Sequence, residues 1–309
     1  VTSERFADVG RGITLCYERI GDPAGEPILL VAGLGQQLHA WPDEFCADLA
    51  ERGYAVVRFD NRDAGRSTHM PYRPPNSMAM FLKRFGPHQY HLGDMARDVM
   101  GLLDALGLDS AHVAGMSMGG MIAQTLAAHA PWRVRSLASI MSTTGAPKIG
   151  RPAMSTWLRM FGQAPNTCGE AIDRELTMYR HIGSHGFPLD ERWIREYVGR
   201  AWERDPAPAG ADRQLAAIFA SGDRSRELAA ITAPTVVIHG DRDLMVHPTG
   251  GTATASAIPG SRLETITGMG HDLPRGAWPR IVDLIDANAR SALTPPLPEQ
   301  ESTDAEATA

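Results

Sequence analysis

His112-Val-Ala-Gly115-Met116-Ser117-Met118-Gly119-Gly120 is the stretch that decides the fold. An apolar strand runs straight into G-x-S-x-G, and Ile122, Leu126 and Ala127 then follow at helical spacing until Pro131 stops the helix. A serine at that junction sits on a sharp strand-to-helix turn. Glycines two residues to either side let the neighbouring backbones approach closely enough to permit it. Its hydroxyl projects above the carboxyl ends of the strands, at the positive end of the helix dipole. G-x-S-x-G also occurs in chance Gly-rich turns; a strand before it and a helix after it set this one apart.

Working outward, strand-like runs at 13–17, 27–32, 55–60, 111–115 and 137–141 alternate with helical spacing at 43–52 and 91–106. That alternation predicts an α/β fold, a mostly parallel sheet flanked by helices. From about 143 to 227 strand runs stop, and 154–161, 171–180, 192–204 and 214–220 are expected as helices, an inserted helical cap. Strands resume at 235–239 and 262–266, before a last amphipathic helix at 278–289. The expected division is core at 1–142, cap at 143–228, core again at 229–292, and an acidic, Pro-rich, disordered tail at 293–309.

An unaided serine hydroxyl is a poor nucleophile at neutral pH, so a base must lie within hydrogen-bond reach and a third group must orient it. After the strand 235–239 comes Gly240-Asp241-Arg242-Asp243. Asp243, beyond the turn, is placed to point back over the sheet, whereas Asp241 is expected to pin the turn. After the next strand comes Gly268-Met269-Gly270-His271-Asp272, and His271 alone of the eleven histidines has this late placement. His112 and His239 fall inside strands, where packing roles are expected. The oxyanion of a tetrahedral intermediate needs two donors. The N–H of Met118 and that of Leu34, in the loop Ala32-Gly33-Leu34-Gly35, are the candidates.

Composition closes off other classes. The 309 residues carry a net charge of −6 and are 43% hydrophobic, which excludes whole-chain disorder and leaves no basic footprint for nucleic acid. Cys16, Cys46 and Cys168 are too few and too scattered for a disulfide framework or a Cys-based zinc site, so a reducing, cytoplasmic setting is expected. The first residues carry acids where a signal peptide needs a basic stretch and a long apolar run. The longest apolar runs, such as Ile28 to Ala32, are strand-sized, so no membrane span is expected.

Together, Val31-Ala32-Gly33-Leu34-Gly35, Phe59-Asp60-Asn61-Arg62-Asp63-Ala64-Gly65-Arg66-Ser67, Gly115-Met116-Ser117-Met118-Gly119, Gly240-Asp241-Arg242-Asp243 and Gly268-Met269-Gly270-His271 resemble the α/β-hydrolase superfamily. Trp41-Pro42-Asp43-Glu44-Phe45, the Asp-x-Arg-Asp-x-Gly-Arg-Ser run and the Gly-Met-Gly-His loop look most like the aclacinomycin methylesterase group of bacterial carboxylesterases. The resemblance implies hydrolysis of a small-molecule carboxylic ester, a methyl ester among the possibilities. It carries the nucleophile over to Ser117, the acid to Asp243 and the base to His271. Ala32 departs from the pattern, since many members have His before the oxyanion-loop glycine.

Ser117 is not a carboxylate, which sets the chain apart from dehalogenases and epoxide hydrolases of the same fold. No Walker motif and no G-x-G-x-x-G follows a strand, and His239-x-Asp241-x-Asp243 lacks the further ligands of a metal site. No cofactor or metal is expected. The rival readings are a cofactor-free perhydrolase or haloperoxidase on the same triad, and a non-catalytic small-molecule receptor. Met116, Met118, Met121 and Met269 cluster around the candidate site, and the cap supplies Met154, Trp157, Met160, Phe161, Trp193 and Trp202. They suit either an apolar pocket or, for most of them, the core between cap and body. Arg62, Asp63 and Arg66 are expected to form an ion-paired turn.

Overall fold

A strand covered on both faces needs apolar side chains at odd and even positions alike, and the run after Glu26 supplies them. Ile28, Leu30 and Ala32 pack into one core cluster while Leu29 and Val31 pack into another on the opposite face. The computed structural model describes residues 3–160, 164–205 and 209–292. Phe161, at the end of one expected helix, and the expected tail at 293–309 lie outside the described residues.

Eight strands form one sheet: β1 (Arg5–Asp8), β2 (Thr14–Ile20), β3 (Glu26–Val31), β4 (Tyr54–Phe59), β5 (Ala111–Met116), β6 (Val134–Ile140), β7 (Thr235–Gly240) and β8 (Arg262–Ile266). Their spatial order is β1-β2-β4-β3-β5-β6-β7-β8. Pairing is antiparallel only at β1–β2 and β2–β4, and parallel from β4 through β8. The α/β architecture expected from the alternation is the one observed.

The helices are α1 (Asp43–Glu51), α2 (Ser77–Phe81), α3 (Leu92–Ala105), α4 (Met118–His129), α5 (Met154–Met160), α6 (Cys168–Ile182), α7 (Glu191–Arg204), α8 (Ala209–Ser221), α9 (Ser225–Leu228), α10 (Thr249–Ala257) and α11 (Trp278–Ser291). Phe45, Cys46 and Leu49 of α1, with Trp278, Ile281 and Ile285 of α11, cover one face of the sheet. Met95, Val99 and Leu102 of α3, with Met118, Ile122 and Leu126 of α4, cover the other. Helices α5 to α9 are inserted between β6 and β7. No helix among the described residues is long and apolar enough to cross a membrane.

Four short elements lack a sequence signal. Strand β1 buries only Ala7 and leaves Phe6 exposed, so no alternation marks it. Helix α10, Thr-Gly-Gly-Thr-Ala-Thr-Ala-Ser-Ala, has no apolar periodicity; small residues let it lie close against β7 and α9. Helices α2 and α9 are a turn or so long.

Two histidines are buried uncharged. His112, in β5, contacts Ser136 Oγ through Nδ1 at 2.8 Å and meets the Tyr54 ring edge-on at 5.9 Å. Burial, followed by the charge of Arg135, lowers its pKa to about 4. His39, 5% exposed, is lowered to about 3 by burial and then by Arg200 and Arg58. The unfolded chain binds more protons at both sites as pH falls from about 6.5 towards these values, so stability is lost in that direction. The melting temperature is expected to fall by roughly 5 °C or more between about pH 7 and about pH 5. A slope left unchanged by His39→Gln and His112→Gln together would remove these groups as its cause.

Candidate active site

Ser117 caps the N-terminus of α4 in a conformation rare for a residue with a side chain, φ 54° and ψ −120°. The surroundings hold it there. Its N–H donates to Ile140 O at 2.9 Å, and its carbonyl accepts from Ser142 Oγ at 2.8 Å. The flanking glycines are required by close approach. A β-carbon on Gly115 would stand 2.2 Å from Gly119 O, and one on Gly119 would stand 2.1 Å from Val31 O. Both obstacles are backbone and cannot swing aside. Gly119→Ala is therefore expected to destabilise the fold by more than about 2 kcal/mol, and a thermal melt indistinguishable from wild type would contradict that packing.

The three side chains selected from the sequence lie in one hydrogen-bonded row. His271 Nε2 is 3.0 Å from Ser117 Oγ, and His271 Nδ1 is 2.7 Å from Asp243 Oδ2. Asp243 is 1% exposed; its Oδ1 accepts the N–H groups of Met245 and Val246, each at 2.8 Å. Burial pushes its carboxyl pKa up. The electrostatic interaction with His271 and hydrogen bonds from His239 and His271 outweigh burial and bring it down to about 2, so Asp243 is ionised at neutral pH.

Asp241 does not close its own turn as expected: its Oδ1 accepts the Gly268 N–H at 2.7 Å, tying the turn after β7 to the loop that carries His271. The inserted helices hold the other side of that loop. His271 N–H donates to Ile182 O at 2.7 Å, at the end of α6. Ser184 Oγ accepts from Gly270 N–H at 2.9 Å and donates to Asp272 at 2.5 Å.

Leu34 and Met118 present backbone N–H groups with no acceptor among the described residues. The two N–H groups flanking Leu34 are both committed. Gly33 donates to Gln36 Oε1 at 2.9 Å, and Gly35 donates to Gln214 Oε1 at 2.7 Å. Asn61 Nδ2 donates to Ala32 O at 3.0 Å, and Asp60 Oδ1 accepts the Leu38 N–H at 2.7 Å. Amide and carboxylate side chains thus brace the loop around Ala32.

Four contributors to the site were not selected from the sequence. Gln36 and Gln214 brace the loop and belong to no motif, and Asn61 braces it from within the 59–67 run, where its own residue type gives no hint of that contact. His239 packs in β7 as its place in a strand implies, and its Nε2 also lies 3.4 Å from Asp243 Oδ2 and 2.8 Å from Val246 O. Its signal was the four-residue spacing to Asp243. The charges of the 60–66 run pair outward rather than within the turn: Asp60 with Arg204 of α7, Arg62 with Asp98 of α3, Asp63 with Arg213 of α8, and Arg66 with Glu4.

Met116, Met118, Met121 and Met269 are buried in the two cores flanking the sheet. In the insertion, Met154 is exposed and Trp193 stacks on Tyr197 at 5.2 Å. A cleft of about 470 Å³ between α7 and the start of α1 has charged walls, among them Asp43, Glu44, Glu196, Arg200 and Arg275.

The family model described as "alpha/beta hydrolase fold" matches residues 26–274. The rhodomycin D methylesterase DauP of Streptomyces sp. (strain C5) is 31% identical, over 91% of this chain and 96% of its own length. The rhodomycin D methylesterase DnrP of Streptomyces peucetius is 30% identical over the same shares. Among solved structures, the esterase RhEst1 from Rhodococcus sp. ECU1013 superposes with a TM-score of 0.73 at 22% identity, covering 94% of this chain and 99% of that one.

Proposed function

The chain belongs to the alpha/beta hydrolase fold family, and from that premise we propose that it is a serine carboxylesterase acting on small to medium hydrophobic esters, methyl esters included. The observation that carries this reading is the unbroken row Ser117–His271–Asp243, at 3.0 and 2.7 Å. The two methylesterases to which the chain is similar support the methyl ester.

His271 Nε2 takes the Ser117 proton as Oγ attacks the ester carbonyl, and the N–H groups of Leu34 and Met118 receive the oxyanion. The imidazolium formed is stabilised by ionised Asp243. It gives its proton to the departing alkoxide, which leaves as the alcohol. Water, deprotonated by His271, attacks the acyl-Ser117 ester; collapse of the second tetrahedral intermediate releases the acid and restores the serine. The helices of 143–228 act as the cap over this site.

The test is hydrolysis of a graded panel of nitrophenyl esters, with methyl esters of aromatic polyketides alongside, by wild type and Ser117→Ala. Serine-dependent turnover across the panel supports the esterase, and the dependence on acyl size then maps the pocket. A folded wild-type protein that turns over none of them overturns it.

A further inference from the structure

One side chain of the inserted helices hydrogen-bonds the backbone of the oxyanion loop. Gln214 of α8 is fully buried; its Oε1 accepts the Gly35 N–H and its Nε2 donates to the Arg62 carbonyl, both at 2.7 Å. Arg62 is itself fixed by paired contacts to Asp98 at 2.5 and 2.6 Å. The amide therefore spans from a rigid part of the body to the peptide beside Leu34. The start of α8 is pressed onto the same region: a β-carbon on Gly210 would stand 1.9 Å from Asp63 O, and one on Gly35 would meet Ala211 at 3.1 Å. Arg213, one residue earlier, is paired with buried Asp63 at 2.6 Å. Helix α8 has no slack against this loop.

The donor pattern shows what this spanning contact does. Of three consecutive N–H groups, Gly33 is held by Gln36 and Gly35 by Gln214, which leaves the N–H of Leu34 between them without an acceptor among the described residues. Rotation of either neighbouring peptide would redirect that N–H. We propose that Gln214 is a positioning residue: an inserted-helix side chain that aims the Leu34 N–H at the reacting oxygen, so that seating of α8 and assembly of the oxyanion hole are one event. This rests on the assignment of Leu34 as an oxyanion donor, and it adds that the cap helps build the transition-state site.

N–H groups bond oxygen much better than sulfur, so the rate ratio between an ester and its matched thionoester reports the grip of the hole. A purely structural role for Gln214 would not move that ratio. Wild type, Gln214→Met and Gln214→Glu are to be assayed on both substrates. Gln214→Leu makes the same deletion if the methionine protein does not fold. The methionine variant is expected to lose on the order of 10- to 100-fold in kcat with KM within about twofold. Its ester-to-thionoester ratio is expected to fall by a similar factor. The glutamate variant, which keeps an acceptor for Gly35, is expected to retain a ratio nearer wild type. An unchanged ratio in the folded methionine or leucine variant overturns the proposal, whatever happens to kcat. Retained turnover by Ser117→Ala in the same assays would instead overturn the serine mechanism, so the two failures are told apart.

Discussion

Ser117→Ala is expected to lower ester turnover by on the order of 10⁴ to 10⁶, with a melting temperature within a few degrees of wild type. Both halves follow from what the hydroxyl touches. Its hydrogen bond is to His271 Nε2, while the bonds to Ile140, Ser142 and Met121 use the main chain of residue 117 and survive the substitution. Alanine meets the same backbone constraint at φ 54° as serine, so the strain is unchanged. Without Oγ, only water can attack, helped by the residual hole and binding energy. Steady-state kinetics on a nitrophenyl ester, with a thermal melt on the same sample, checks both halves. A folded mutant with near-normal turnover would remove Ser117 from the mechanism.

The second large effect is expected from Asp243→Asn, a loss of roughly 10³ to 10⁴ in kcat. The size depends on which way the new amide faces, and the structure decides that. Oδ1 accepts two backbone N–H groups, from Met245 and Val246. An asparagine must keep its oxygen there, which turns its NH₂ towards His271 Nδ1. That nitrogen is then obliged to accept, so the ring proton moves to Nε2 and faces Ser117 Oγ, where a base is needed. The buried site also loses the charge that stabilises the imidazolium. Kinetics across pH will test this: a variant with wild-type kcat at neutral pH would show that the carboxylate neither orients nor stabilises His271.

The legible parts of this molecule were those in which one residue type meets one local demand. The strand-to-helix turn at Ser117 tolerates glycines at 115 and 119 and little else, so the motif and its geometry coincide. Asp243 is legible because it follows β7, whose apolar run Val236 to Ile238 is visible, and His271 because a Gly-Met-Gly loop presents it. What escaped notice was set by tertiary neighbours. Gln214 lies 179 residues from the Gly35 it holds, and nothing near it in sequence distinguishes it from a helical glutamine facing water. His239 was seen as part of a strand, and only the folded chain shows that its ring also reaches Asp243. Helix α10 escaped for another reason: its role is to be thin, and small side chains leave no periodic pattern.

The order in which these groups leave the ribosome follows from the insertion between β6 and β7. Ser117 and His271 are separated by 154 residues of chain, and the strands that carry Asp243 and His271 pair only after the inserted helices have been made. A nascent chain displays its serine long before it owns a base. The elbow is therefore synthesised inert, and reactivity switches on only with the last third of the polypeptide. The long wait also raises contact order, which slows folding. The same chain path that delays folding leaves a half-made chain without a base beside its serine.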